Sequence, residues 1–180
     1  MTGRRVRIGA SVVVVLACVV AIVAATRPSV EATASKSPLL GHLAPPITSP
    51  TLAGQPFSLS AERGHWVVLN FFASWCTPCQ LEVPELVAFT WSQQHRVDGA
   101  VMASVVYDDS NSAASNFATT IGMTWPAITD PGGAIANAYG VTAPPTTFLI
   151  NPAGRVEASF LGPVTAHQLD QALLRGAASR

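Results

Sequence analysis

Two cysteines, Cys76 and Cys79, stand where an apolar run gives way to a helical pattern, and this junction constrains the fold more than any other feature. Residues 66–73 read WVVLNFFA, an almost unbroken run of strand-forming types that is typical of a buried central strand. A stripe with helical spacing then follows, formed by Cys79, Val83, Leu86, Val87 and Thr90. The sequence therefore predicts a strand–turn–helix unit, with Cys76 at the helix start and Cys79 on the face toward the core.

The Cys76–Cys79 pair has three interpretations. A zinc site needs four ligands, but the chain has no second such pair. Its histidines are scattered, and we expect all four at the surface: His42, His65, His95 and His167. A permanent structural disulfide would close a very short loop, which gives the least stabilisation in the chain-entropy model. The third interpretation is a redox-active pair, and the neighbouring residues favour it.

Redox chemistry needs two cysteines in different surroundings. The attacking sulfur must be an accessible thiolate, and the free N–H groups and dipole at a helix start favour that anion. The second sulfur must be shielded yet within reach of the mixed disulfide. Pro78 suits the first helical turn, where its missing N–H costs nothing. We therefore expect Cys76 to be the exposed nucleophile and Cys79 the shielded resolving cysteine.

Several longer motifs surround the pair in a fixed order. They are residues 41–46 (GHLAPP), 52–59 (LAGQPFSL), 69–76 (LNFFASWC), Glu82 with Pro84, 139–141 (YGV) and 145–150 (PTTFLI). This ordered set resembles the TlpA/ResA-like (DsbE-like) branch of the thioredoxin superfamily. The resemblance implies an α/β thioredoxin-like fold, with a mixed central sheet flanked by helices, over residues 41–177. It also implies an extracytoplasmic thiol–disulfide oxidoreductase without a cofactor or metal, of a kind often active as a reductant in cytochrome c maturation.

The resemblance also assigns roles to individual residues. Asn70 occupies the position of the buried aspartate of thioredoxin and cannot accept a proton, so Glu82 becomes the candidate for taking the proton from Cys79. The alternative is that Glu82 is a solvated helix acid. Pro145 corresponds to the family's cis-proline, which shapes the substrate groove; the alternative is an ordinary turn with trans bonds.

Two neighbours complete the predicted groove. Trp75 directly precedes the nucleophile and should flank the groove. Pro144 departs from the family pattern, because proline has no N–H to offer an extended substrate. We therefore expect docking through the Pro144 carbonyl alone.

The N-terminal part reads as a membrane segment. Residues 1–7 form a basic stub with Arg4, Arg5 and Arg7, and residues 8–25 then run without a charge. That length suits a retained transmembrane anchor or a cleaved signal, and the preceding arginines place everything after it outside the cytoplasm. Cys18 inside this run is either a small apolar residue or a lipidated cysteine. Residues 26–40, rich in Ser, Thr, Ala and Pro, are predicted to be a linker.

The rest of the chain alternates strand and helix patterns, as expected of an α/β sandwich. Strands are predicted over residues 100–107, 125–129, 146–150 and 156–161. Helices are predicted over residues 112–121 and 165–175, and another helix is predicted to end near residues 139–140. Trp66, Trp91 and Trp125 are expected to pack in the core or at its rim. Residues 41–180 carry five arginines and nine acids, a formal charge of −4, which excludes the electrostatic footprint of a nucleic-acid-binding domain.

The predicted activity is reduction of protein disulfides. Thr77 and Pro78 contain no charge or imidazole that would stabilise the Cys76 thiolate further, and a less stabilised thiolate makes a poorer oxidant. A membrane or extracytoplasmic redox partner must then reset the pair. The alternatives are a disulfide-forming oxidase, a copper-binding module on the same fold, a thiol peroxidase and a non-catalytic interaction domain.

Overall fold

The apolar run at residues 66–73 forms the centre of a six-stranded sheet in the computed structural model, which describes residues 32–178. The strands are β1 (Thr33–Ala34), β2 (Thr48–Pro50), β3 (Pro56–Ser58), β4 (Val67–Phe72), β5 (Val101–Val106), β6 (Ala127–Ile128), β7 (Thr146–Ile150) and β8 (Val156–Leu161). The helices are α1 (Thr77–Gln94), α2 (Asn111–Thr120), α3 (Ala134–Tyr139) and α4 (Ala166–Ala178), and a 3-10 turn spans Leu59–Glu62.

The sheet is mixed, and its order is β1-β8-β7-β4-β5-β6. β4 pairs in parallel with β5 and antiparallel with β7, while β7 and β8 form an antiparallel hairpin. Asn70 at the centre of β4 lies opposite Ser104 of β5 and Thr147 of β7. Because β4 and β5 are parallel, the turns that follow them meet at one edge of the sheet. The cysteine pair follows β4 at that edge.

Strand β4 supplies both faces of the core because its side chains alternate in direction. Leu69 and Phe71 pack on one face with Tyr139 of α3 and with the β2–β3 hairpin. Val68 packs on the opposite face against α1 and α4, through Phe89 and Leu169. All six β4 residues are buried, which explains why the sequence shows a continuous apolar run. The thioredoxin-like α/β class with flanking helices is confirmed.

The buried face of α1 differs from the predicted stripe. Cys79, Leu86 and Thr90 are buried as expected, but Val87 is 41% exposed. The buried face instead includes Glu82, Phe89 and Gln93. Polar residues occupy two of these positions, so the apolar residues alone did not reveal the helical period. Trp91 lies on the opposite, outward face and is 65% exposed, which corrects its expected place in the core or rim.

The described part of the predicted linker is packed against the domain. β1 pairs antiparallel with β8, matching Thr33 with Leu161, and the amides of Ala32 and Ser35 donate to the Pro163 and Ser159 carbonyls at 2.8 Å each. Edge-strand pairing thus joins the chain to the sheet from residue 32, before the predicted domain boundary at residue 41. The basic stub, the 8–25 segment with Cys18, and residues 26–31 lie outside the described residues. Within residues 32–178, no helix has the length and apolar character to cross a bilayer.

Candidate active site

The two cysteines form a disulfide at the start of α1. Their sulfurs are 2.04 Å apart and their Cα atoms 5.2 Å apart. Cys76 is the N-cap residue, and its Sγ accepts the Cys79 backbone N–H at 3.1 Å. Pro78 lies in the first turn as predicted. The Cys79 N–H at the helix start therefore points at the Cys76 sulfur and favours a negative charge there once the disulfide is reduced.

The exposure of the cysteines differs from the expectation. Cys76 is 3% exposed and Cys79 is 2% exposed, so accessibility does not distinguish them in the disulfide form. Both pack in a small apolar cluster with Phe72, Val106 and Ala114. The ends of β4 and β5 and the first half of α2 thus pack against the two cysteines. The difference between the cysteines lies in their position on α1, because Cys76 caps the helix and Cys79 belongs to its buried face.

The turn after β5 holds the segment that precedes Cys76. The Ser74 N–H donates to the Asp109 carboxylate at 2.7 Å, and the Trp75 indole N–H donates to the Asp108 carbonyl at 3.0 Å. Asp108 has a φ of 42°, in the left-handed region that side chains other than Gly, Asn and Asp rarely adopt. The contacts of this turn with Ser74 and Trp75 were not predicted from the sequence. Parallel pairing of β4 with β5 was the signal that could have placed it beside the cysteines.

Glu82 lies in the interior, on the same buried face of α1 as Cys79. It is 2% exposed, which excludes the solvated-acid alternative. Its carboxylate accepts the Asn70 side-chain N–H at 2.9 Å and the Val164 backbone N–H at 3.0 Å, and Asn70 also donates to the Thr147 hydroxyl at 3.1 Å. Burial raises the pKa of Glu82 to about 7, although the two hydrogen bonds oppose this rise. Glu82 is also three residues from Cys79, a separation that brings side chains together on a helix.

The predicted groove residues gather at the same edge of the sheet. The Pro144–Pro145 peptide bond is cis, as expected, and Pro145 is buried. Thr146 and Thr147 pair with Phe71 and Asn70, so Pro145 precedes β7 beside the end of β4. Trp75 is 56% exposed. A cleft of about 660 Å³ lies next to Asp108, whose carbonyl accepts the Trp75 indole N–H. Its lining includes Asp108, Asp109, Asp130 and Asn137.

The segments around the disulfide carry acids and no bases. The acidic residues are Glu82 on α1 and Asp108 and Asp109 on the turn after β5. Residues 51–55, 72–83, 105–123 and 141–150, which surround or approach the pair, contain no Lys, Arg or His. All four histidines are exposed as expected. Among the described residues, no three His, Cys, Asp or Glu side chains are grouped so as to hold a metal ion.

Comparison with known proteins gives one consistent result. Residues 40–159 match the model of the AhpC/TSA family. The thiol-disulfide oxidoreductase ResA of Bacillus thuringiensis is 31% identical over 131 residues, which cover 73% of this chain and 75% of ResA. The thiol:disulfide interchange protein of Chlorobium tepidum is 26% identical, with a TM-score of 0.67 over 74% of this chain and 94% of that one. A secreted thiol-disulfide isomerase of Corynebacterium glutamicum is 28% identical, with a TM-score of 0.65 over 73% and 82%.

Proposed function

The chain belongs to the AhpC/TSA family and is a thiol–disulfide oxidoreductase of the ResA/DsbE type, and from this premise we propose that it reduces protein disulfides outside the cytoplasm. The Cys76 thiolate attacks a substrate disulfide, forming a mixed disulfide and releasing one substrate thiolate. Cys79 then loses its proton and attacks the Cys76 sulfur. The second substrate thiol leaves, two electrons have passed to the substrate, and Cys76–Cys79 is oxidised. A dithiol partner must reduce it again.

The charge pattern around the disulfide carries the proposed direction. A disulfide is a strong oxidant when its reduced thiolate is strongly stabilised. Here the helix start favours the thiolate, but the surrounding segments add carboxylates and no cation. The thiolate therefore gains little beyond the helix terminus, which favours a reducing pair.

A redox titration tests the direction. The isolated protein is equilibrated with glutathione or dithiothreitol buffers, and the fraction of oxidised Cys76–Cys79 is read by thiol alkylation. We expect a potential at or below that of thioredoxin, about −270 mV. A value near that of a strong periplasmic oxidant, about −120 mV, would reverse the direction and support the disulfide-forming alternative.

We propose that Glu82 takes the proton from Cys79 during resolution. A base works best when its pKa is close to the working pH, and burial places that of Glu82 at about 7. Replacement of Glu82 by Gln should slow resolution of a Cys76 mixed disulfide by about 10²-fold, the lower end for loss of a general base. Rapid-quench kinetics across pH 5–9 would measure it. If the variant kept the wild-type rate and pH profile, Glu82 would have no role in proton transfer.

We propose that Trp75, Pro144 and Pro145 border the substrate groove. Its backbone acceptor would be the Pro144 carbonyl, because the Pro145 carbonyl already accepts the Gly162 N–H at 3.0 Å. Replacing Pro144 by Ala keeps the carbonyl and adds an N–H, so peptide affinity should rise by about tenfold for one added hydrogen bond. Calorimetry with a cysteine-to-serine substrate peptide would measure it. Unchanged affinity would remove Pro144 from the proposed groove.

The proposed location rests on the sequence of the N-terminal segment. Residues 8–25 act as a membrane anchor or a cleaved signal, with the domain outside. The Corynebacterium protein described as secreted is consistent with export of this domain type. Protease treatment of intact cells expressing the full chain tests this. Digestion of the domain together with membrane fractionation supports the anchor, whereas complete protection contradicts an outside location.

Protein disulfides are the proposed substrates, with the haem-binding cysteines of apocytochrome c as the specific candidate. Replacing Cys79 by Ala leaves Cys76 able to attack but unable to resolve, so the client stays covalently bound. Mass spectrometry of the captured complexes identifies it, and the Cys76→Ala, Cys79→Ala double variant is the control. Capture of abundant unrelated proteins alone would exclude a specific client.

A further inference from the structure

Asp109 contacts the redox loop from outside the motif that contains the cysteines. One carboxylate oxygen accepts the Ser74 N–H at 2.7 Å, and the other accepts the Ser110 N–H at 2.8 Å. Ser74 precedes Cys76 by two residues, so their Cα atoms are at most about 7.6 Å apart. The Cys76 N–H also donates to the Ala73 carbonyl at 3.2 Å, which turns the chain tightly there. The Asp109 carboxylate is thus tied to the backbone that positions Cys76.

This contact also places a negative charge near the future thiolate. The elements packed around Cys76, together with the turn after β5, carry four acidic groups, Glu82, Glu85, Asp108 and Asp109, and no basic residue. Glu82 and Glu85 lie on α1, where they accept the backbone N–H groups of Val164 and Ala166. The Asp108 side chain is exposed, and Asp108 reaches Trp75 through its backbone carbonyl. Asp109 is half-buried and is the acid whose side chain bonds the redox loop itself.

We propose that Asp109 is a positioning residue that fixes the Ser74–Cys76 loop and keeps the Cys76–Cys79 pair reducing. Its charge opposes formation of the Cys76 thiolate, which destabilises the dithiol form relative to the disulfide and lowers the reduction potential. Its hydrogen bond holds the loop at the start of α1. The proposal rests on the exchange chemistry at Cys76–Cys79 and adds a determinant of its direction.

Two substitutions at this position separate charge from hydrogen bonding. Asp109→Asn removes the charge, while its amide oxygen still accepts the Ser74 N–H; the Ser110 N–H turns to water. Asp109→Ala removes both. Asp108→Asn is the matched control, because it removes an equal but exposed charge and keeps the backbone carbonyl, and Asn tolerates a positive φ.

Three readouts are taken on the full chain. They are the equilibrium constant with glutathione, the pH midpoint of Cys76 alkylation by iodoacetamide, and the rate of disulfide reduction. For Asp109→Asn we expect the equilibrium to shift by about three- to tenfold toward the dithiol, with a lower alkylation midpoint and a near-normal rate. A tenfold shift corresponds to about 30 mV. Asp109→Ala should show the same shift and an additional loss of rate.

Each outcome decides one part of the proposal. Unchanged equilibrium and midpoint in Asp109→Asn would overturn the electrostatic role, as would an equal shift in Asp108→Asn. Equal rates for Asp109→Asn and Asp109→Ala would overturn the positioning role. If the wild-type chain did not interconvert between dithiol and disulfide, the proposed function itself would fail, whatever the variants showed.

Discussion

At the scale of the residue, Glu82 shows how opposing effects set the pKa of one carboxyl group. Two N–H donors point at its carboxylate and favour the ionised form, while burial favours the protonated form and prevails, raising its pKa to about 7. The ordinary pKa of a Glu side chain, which is taken for the unfolded chain, is 4.5. Between these values the folded protein binds more protons than the unfolded chain, so the free energy of unfolding falls as pH rises.

Between pH 4.5 and 7, titration of Glu82 should lower the free energy of unfolding by about 3 kcal/mol. Above this range the contribution of Glu82 no longer changes with pH. Urea unfolding of the oxidised protein at pH 5 and pH 8 measures it. Glu82→Gln cannot ionise, so its stability should differ less between the two pH values than that of the wild type. An identical pH dependence in both proteins would show that the Glu82 carboxyl does not titrate across this range.

At the scale of the element, α1 combines a buried face that contains polar groups with an outward face that contains apolar ones. Gln93 is 4% exposed, donates to Asp170 of α4 at 3.0 Å and accepts the Ala100 N–H at 3.1 Å. Leu81 and Trp91 are exposed. Burial in this helix therefore follows hydrogen-bonding partners as well as side-chain type.

Two aromatic residues of α1 give a matched test of this assignment. Phe89 is fully buried against β4 and α4, so Phe89→Ala should lower the free energy of unfolding by about 3–5 kcal/mol. Trp91 is 65% exposed, and Trp91→Ala should change the free energy of unfolding by less than about 0.5 kcal/mol. Urea unfolding of the oxidised proteins measures both. Similar losses of unfolding free energy from the two variants would contradict the observed orientation of α1, in which Phe89 is buried and Trp91 is exposed.

Much of this arrangement was predictable from sequence patterns, because an element with the same surroundings on both faces has a regular pattern of residue types. β4 is buried on both sides and therefore apolar throughout, and β7 and β8 flank a turn that contains Gly154. The outward face of α1, the contacts of the Asp108–Asp109 turn with Ser74 and Trp75, and the burial of Cys76 were not predicted. Each depends on residues distant in the chain, which local periodicity does not record.

At the scale of the whole molecule, β1 extends the sheet beyond the predicted domain. Ala32 is 8% exposed and packs in the α1–α4 core, and the Gln168 side chain donates to its carbonyl at 3.2 Å. The segment before residue 41 was predicted as a linker because its composition is polar and rich in small residues. Main-chain hydrogen bonds, which do not depend on composition, order it against β8.

Amide hydrogen exchange tests this order in the full chain. The Ala32 and Ser35 amides donate to main-chain carbonyls, so they should exchange at least about tenfold more slowly than the exposed Lys36 amide, after correction for intrinsic rates. The comparison is made on the oxidised protein by NMR. Equally fast exchange at all three positions would show that β1 is not formed in solution.

The near-complete enclosure of Cys76 makes access the first barrier to turnover. A thiol that collides with the oxidised protein meets a bridge whose leading sulfur belongs to a residue only 3% exposed. Attack therefore requires a local movement that exposes this sulfur. A small reductant has no contacts with which to favour the open form, whereas a protein that binds around Trp75 can spend its binding energy on opening. Selectivity among electron donors then depends on the ability to expose this sulfur as well as on the intrinsic reactivity of the donor thiol.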